Sequence, residues 1–100
     1  MGTQHFIKDR RKRLEFIKKN IGYGEKVERF VWDRGHVNGA EYHTVTSTAL
    51  IVVRNVNTMK LVTVLVARPG QLRRLYGDRE VPKYLIDLAI EHQRKGWNEI

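Results

Sequence analysis

The chain has 100 residues, 41% of them hydrophobic, and a formal net charge of +8 at pH 7. This length predicts one domain over 1–100 with a single hydrophobic core. The absence of cysteine excludes a disulfide framework and a thiolate metal site. The longest apolar runs, 49–53 and 61–67, are far shorter than the roughly 20 residues that span a bilayer. With no export signal or lipid anchor visible, we expect a cytoplasmic protein without membrane contact.

The positive charge is concentrated in two segments. Residues 1–20 contain seven Lys or Arg against Asp9 and Glu15, a net charge of +5, and residues 60–79 carry +4. The segment between them, 21–59, has no net charge. Charge segregated in this way produces a directed field that attracts phosphates, although basic domains also bind acidic proteins or anionic lipid. Charge placement therefore predicts a polyanionic partner, and nucleic acid in particular.

The first predicted element is a helix that ends at Gly22, with Thr3 as its N-cap. The residues that recur at helical spacing are Phe6, Arg10, Leu14, Ile17 and Ile21. The other faces are basic, and the nucleic-acid contacts predicted there are Lys8, Arg11, Lys12, Lys18 and Lys19. A solvated helix surface accounts equally well for any single one of these lysines.

Four strands are predicted next, because the hydrophobic period changes to alternation. They cover 27–34, 40–47, 50–54 and 61–68, and glycine-rich or asparagine-rich turns at 35–39 and 55–59 join them into hairpins. Pro69 and Gly70 end the fourth strand, after which 71–76 forms a short helical turn.

A final helix is predicted from Pro82 to about Lys95, with Gly96 as its stop and Trp97 packing back on the core. Its inward residues are predicted to be Leu85, Ile86, Ala89 and Ile90. The fold class is therefore α+β, with an N-terminal helix, a four-stranded antiparallel sheet, a short helical turn and a C-terminal helix. Antiparallel sheets commonly keep one face open to solvent, so a ligand is expected on that face.

The densest group of chemically active side chains lies at 36–46. In an extended segment Glu41 and His43 point to the same face, because side chains alternate along a strand. His36 and His43 are the predicted acid and base, Glu41 orients one of them, and Thr46 supplies a hydroxyl. His36, Glu41 and His43 also offer three zinc ligands, but their spacing matches no standard motif and no fourth ligand has a defined offset. We predict no metal and no cofactor.

A second group follows the last strand at 67–79. Arg68 and Arg74 are predicted to stabilise a phosphate, because guanidinium groups hold phosphate oxygens and stay charged. Arg73 and Arg79 are predicted nucleic-acid contacts beside them. Tyr76 is a candidate for stacking on an unpaired base, and packing against the core explains it equally well.

These residues resemble the small phage and bacterial members of the barnase, EndoU, colicin and RelE-like ribonuclease superfamily. The resemblance rests on three segments, which are His-Val-Asn-Gly-Ala-Glu-Tyr-His-Thr-Val-Thr at 36–46, the strand, turn and strand at 50–67, and Ala-Arg-Pro-Gly-Gln-Leu-Arg-Arg-Leu-Tyr at 67–76. It implies a helix with an antiparallel sheet and RNA cleavage without metal on the open face of the sheet. It also implies a catalytic set, consisting of His36, Glu41, His43, Thr46, Arg68 and Arg74, with Tyr76 beside them.

Three functions remain open at this point. The first is a metal-independent endoribonuclease, as a toxin or phage effector. The second is a nucleic-acid binder without catalysis that uses the basic helix and the arginines of 68–79. The third is a protein-interaction module, such as a phage-encoded inhibitor that binds a host protein. An inhibitor of the protein itself would be a further partner.

Overall fold

The computed structural model describes residues 9–32 and 40–97. Its elements in chain order are α1 (Arg10–Asn20), β1 (Lys26–Trp32), β2 (Glu41–Thr46), β3 (Leu50–Asn55), β4 (Leu61–Val66), α2 (Pro69–Tyr76) and α3 (Lys83–Arg94). This order confirms the predicted α+β fold. The segment predicted as a helical turn is a helix of eight residues that begins at Pro69, where proline has no N–H to leave unpaired.

Asp9 is the N-cap of helix α1. Its carboxylate accepts a hydrogen bond of 3.1 Å from the backbone N–H of Lys12, and this bond lowers the pKa of Asp9. The predicted cap, Thr3, lies outside the described residues, and the observed cap is six positions further along the chain. Gly22 follows the helix with a φ of +82°, a conformation that favours glycine.

The four strands form one antiparallel meander in the order β1-β2-β3-β4. The register places His43 opposite Phe30 on one side and opposite Val53 on the other, and Val53 lies opposite Thr63. Opposed residues share a face of the sheet. Odd-numbered residues of β2 and β3 therefore point to one face, and even-numbered residues point to the other.

Helices cover both faces of the sheet. On the first, the α2–α3 face, α2 and α3 bury a core that includes Val45, Ile51, Val53, Leu72 and Leu85. On the second, the α1 face, Ile17 is buried against Leu50, Val64 and Val66. The prediction of one fully open face is thus wrong, because α1 lies across β3 and β4. Within 9–32 and 40–97, only the β1–β2 half of the α1 face carries no helix.

Helix α1 is fastened to the edge strand β4 by two arginines. Arg10 donates from Nη1 to the carbonyl oxygen of Leu61 at 2.7 Å, and the Arg13 guanidinium donates to the Thr63 hydroxyl. These bonds occupy groups at the edge of the sheet that would otherwise face solvent or another strand. Two of the six basic residues of α1 therefore have structural partners, and the other four are exposed.

Helix α3 differs from its predicted burial at two positions. Leu85 and Ala89 are fully buried as expected, but Ile90 is 44% exposed. His92 is buried instead and lies 5.8 Å from the ring of Trp97. Trp97 packs against the core below α1, as predicted, after a turn at Gly96 with a φ of +75°. In the part of the chain that the structure describes, no helix is long and apolar enough to cross a membrane.

Candidate functional site

Glu41 and His43 lie together on the α2–α3 face, as predicted from strand alternation. The His43 Nε2 and Glu41 Oε1 atoms are 3.3 Å apart, and the two side chains are 13% and 22% exposed. A carboxylate at this distance fixes the orientation of the imidazole ring. The pair therefore has the geometry of an oriented acid or base that is still reachable from solvent.

Thr46 does not join this pair. It lies on the α1 face, is 5% exposed, and its hydroxyl oxygen accepts a bond of 3.1 Å from the backbone N–H of Leu50. The same oxygen is 3.0 Å from the hydroxyl of Thr48, which donates to the carbonyl oxygens of Gly22 and Tyr23. Thr46 therefore holds the β2–β3 turn and the end of α1, and this accounts for its hydroxyl without a reaction.

The arginines predicted to act with His43 lie elsewhere. His43 aligns through Val53 with Thr63, and Arg68 follows Thr63 by five residues of extended chain, which is about 16 Å along the sheet. Arg74 is exposed and sits two positions from each of the buried residues Leu72 and Tyr76. Because residues two apart on a helix do not share a face, Arg74 points away from the sheet. Arg73 is exposed on the same helix.

Tyr76 and Arg79 form a cluster beside His43. The Tyr76 ring is 7% exposed and lies 5.0 Å from the ring of Phe30, the cross-strand neighbour of His43. Arg79 stacks over both rings and donates to Glu28 Oε2 at 3.0 Å. Burial, followed by the charge of Glu28, raises the pKa of Tyr76. Because the Tyr76 ring is buried, it is not available for stacking on a base. The arginine on the same sheet face as His43 is Arg79, and not Arg68 or Arg74 as predicted.

Two predicted site residues, Lys8 and His36, lie outside the described residues. The proposed pairing of His36 with His43 therefore stays a prediction. Within the described ranges, no three His, Cys, Asp or Glu side chains are grouped closely enough to hold a metal ion.

The predicted nucleic-acid contacts of α1 are all on its exposed surface. They are Arg11, Lys12, Lys18 and Lys19. Across 9–32 and 40–97, no carboxylate lies within ion-pair distance of any of them. By contrast, each lysine and arginine of 83–95 is paired, with Lys83 bound to Asp87 and both Arg94 and Lys95 bound to Glu91.

The α1 face also carries a group of cationic and aromatic side chains that was not predicted from the sequence. Lys18 lies 5.5 Å from the centre of the Tyr23 ring, and Arg29 lies 5.3 Å from the centre of the Tyr42 ring. Arg54 is opposite Tyr42 in the β2–β3 register. We call these residues the cation–aromatic row: Lys18, Tyr23, Arg54, Tyr42 and Arg29. Strand alternation gave the signal for Tyr42, since it lies between Glu41 and His43 and must point to the other face.

Comparisons of the chain with protein-family models, with curated proteins and with solved structures find no match. The ribonuclease resemblance therefore rests on the residues at 36–76 alone.

Proposed function

We propose that the protein binds RNA through the exposed cations of α1. The supporting observation is that Arg11, Lys12, Lys18 and Lys19 are exposed and have no carboxylate within ion-pair distance among the described residues. Among the described residues, no salt bridge therefore neutralises these four cations, whereas salt bridges neutralise Lys83 and Arg94 on α3. Phosphates are the partner that such exposed cations attract most strongly.

The position of Arg11 and Lys12 strengthens this proposal. Both lie in the first turn of α1, which contains no acidic residue. The amino end of a helix carries a partial positive charge, so cations there oppose the helix dipole and add nothing to helix stability. Lys18 and Lys19 lie in the last turn, where the dipole favours them. Within the fold, both cations act on the Asp9 carboxylate at the N-cap, where their charges help to lower its pKa. An external phosphate would give them a second anionic partner and offset the unfavourable interaction with the dipole.

The salt dependence of RNA binding tests this function. We expect the logarithm of the association constant for a fluorescein-labelled RNA to fall linearly with the logarithm of salt concentration. For single-stranded RNA the slope is about 0.7 for each phosphate that the protein neutralises. Fluorescence anisotropy between low and physiological salt measures it. An affinity that does not change with salt, or no measurable binding at low salt, contradicts the proposal.

A second candidate function is metal-independent RNA cleavage, which the 3.3 Å contact between Glu41 and His43 favours. Cleavage of this kind needs a group that takes the proton of the 2′-hydroxyl, a group that protonates the leaving oxygen, and a cation for the phosphate. His43 serves as one of the proton-transfer groups with Glu41 as its orienting partner. Arg79 supplies the nearby guanidinium in place of Arg68 and Arg74.

Incubation of RNA with the purified protein in EDTA tests cleavage separately from binding. The expected products carry a 2′,3′-cyclic phosphate, and His43→Ala abolishes their formation while the RNA affinity stays unchanged. Cleavage at the wild-type rate by His43→Ala contradicts the role of His43. RNA that stays intact with wild-type protein contradicts the activity and leaves the binding function standing.

A further inference from the structure

The cation–aromatic row extends from α1 to the open part of the α1 face. It begins with Lys18 on α1 and Tyr23, which follows that helix in the chain, and its strand part consists of Arg54 on β3, Tyr42 on β2 and Arg29 on β1. Neighbouring strands are about 4.8 Å apart, so the strand part of the row alone covers about 10 Å. Cations and aromatic rings alternate along its whole length.

The contacts along the row hold its members in place. Tyr23 packs on the core between α1 and the sheet, and the carbonyl oxygen of Tyr23 accepts a hydrogen bond of 2.7 Å from the Thr48 hydroxyl. Arg54 donates from Nη1 to the carbonyl oxygen of Met59 at 3.2 Å. Burial raises the pKa of Tyr23, and the charge of Arg54 opposes that rise, as expected for a cation near the ring. The row is therefore arranged before any ligand arrives.

The surroundings of the row are also suited to an anion with flat apolar groups. Glu28 and Glu41, the acidic residues of β1 and β2, point to the α2–α3 face, where Arg79 and His43 bind them. The side chain of Val31, opposite Tyr42 in the register, is 61% exposed and adds apolar surface beside the ring.

We propose that the cation–aromatic row binds unpaired RNA, with bases stacked on the Tyr42 and Tyr23 side of the sheet and phosphates held by Arg29, Arg54 and Lys18. This inference rests on the proposed RNA-binding function and specifies its substrate as single-stranded. Base faces are hidden inside a duplex, whereas an unpaired strand offers a face and a phosphate at every nucleotide. An acidic protein segment would match the cations but not the rings between them.

The test compares two fluorescein-labelled RNAs of equal length, an unstructured strand and a perfect duplex, at one salt concentration. We expect the wild-type protein to bind the unpaired strand about 10-fold more tightly, since one base stacked on an aromatic ring contributes that order of affinity. Tyr42→Leu should weaken binding of the unpaired strand about 10-fold and leave duplex binding unchanged. Tyr42→Phe keeps the ring and should bind both RNAs as the wild type does.

Tyr84→Leu is the matched control, because Tyr84 is 48% exposed on α3 and lies outside the row. It should bind both RNAs with wild-type affinity. The midpoint of thermal unfolding of each variant shows whether the substitution leaves the fold intact. If Tyr42→Leu lowers this midpoint strongly, Arg29→Gln replaces it. Arg29→Gln should likewise weaken binding of the unpaired strand and leave duplex binding unchanged. Equal wild-type affinity for the two RNAs, or unchanged binding by folded Tyr42→Leu, overturns this inference but not the proposed function. Absence of binding to either RNA overturns both.

Discussion

Helices α1 and α3 have almost the same length, 11 and 12 residues, and use their charges in opposite ways. Helix α3 contains two basic and two acidic residues, and its lysine and arginine side chains all have a carboxylate partner. Helix α1 contains six basic residues and one acidic residue. Two of its arginines hold the β4 edge, and the remaining four cations face solvent without an ion pair among the described residues. Both helices bury core residues, and the difference between them is that α3 pairs its lysine and arginine charges with carboxylates whereas α1 leaves four cations facing solvent.

The largest expected effects come from the residues that anchor each helix. Ile17 on α1 and Leu85 on α3 are both fully buried. Replacing either with alanine should lower the free energy of unfolding by about 2–5 kcal/mol, because each change leaves a cavity in a core. Chemical denaturation measures this loss.

The same two variants separate the roles of the helices. Under conditions where both variants remain folded, Ile17→Ala should weaken RNA binding more than Leu85→Ala, since α1, in contrast to α3, carries cations without an ion pair among the described residues. Equal weakening by the two substitutions would show that RNA affinity follows general stability and not the position of α1.

A smaller effect is expected from pH, and it distinguishes the two helices again. His92 on α3 is buried, and this burial, followed by the charge of Lys95, lowers its pKa, while Glu91 opposes the shift. The unfolded chain therefore takes up a proton on His92 at higher pH than the folded protein does. Stability should fall as the pH drops through about 6.5. Helix α1 contains no histidine and makes no such contribution.

The measurement is the midpoint of thermal unfolding at pH 7.5 and at pH 5.5, for the wild type and for His92→Gln. The wild type should lose more stability between these two values than His92→Gln, because glutamine has no proton to gain. Parallel losses in the two proteins would show that His92 does not couple folding to pH.

Sequence patterns predicted the elements of the fold but not how α1 is placed. The burial of Leu85 and Ala89 follows from their helical spacing, and the two faces of β2 and β3 follow from the alternation of side chains along a strand. The short apolar stripe of α1 does not indicate which face of the sheet the helix covers, so the position of α1 on the α1 face was not predicted. His92 was also missed, because a histidine inside a helix pattern is equally compatible with the surface.

The candidate site was predicted only where local geometry decides it. Alternation alone placed Glu41 and His43 on one face. Arg68 was expected beside them, yet a meander puts the end of β4 at the opposite end of the sheet from the start of β2. That separation was derivable once four strands in sequence order were assumed. The cation–aromatic row required the strand register, which links Tyr42 to Arg54 and is set by pairing across the whole sheet.

Two double variants with equal loss of charge compare the exposed cations of the two helices, and they should have the smallest effect on stability. Arg11→Gln with Lys12→Gln removes two unpaired cations from the first turn of α1, and Lys83→Gln with Lys95→Gln removes two paired cations from the α3 region. Both change the net charge equally. Neither should lower the unfolding midpoint substantially, because exposed ion pairs contribute little and cations at a helix start oppose its dipole.

The deciding measurement is the salt dependence of RNA affinity for these two double variants beside the wild type. If RNA binds to α1, the α1 variant binds more weakly and the slope of its log–log plot is reduced by about 0.7 for each lost phosphate contact. The α3 variant should keep nearly the wild-type slope. Equal slopes for the two variants would mean that net charge alone governs binding, and would contradict the claim that α1 is the RNA-binding surface.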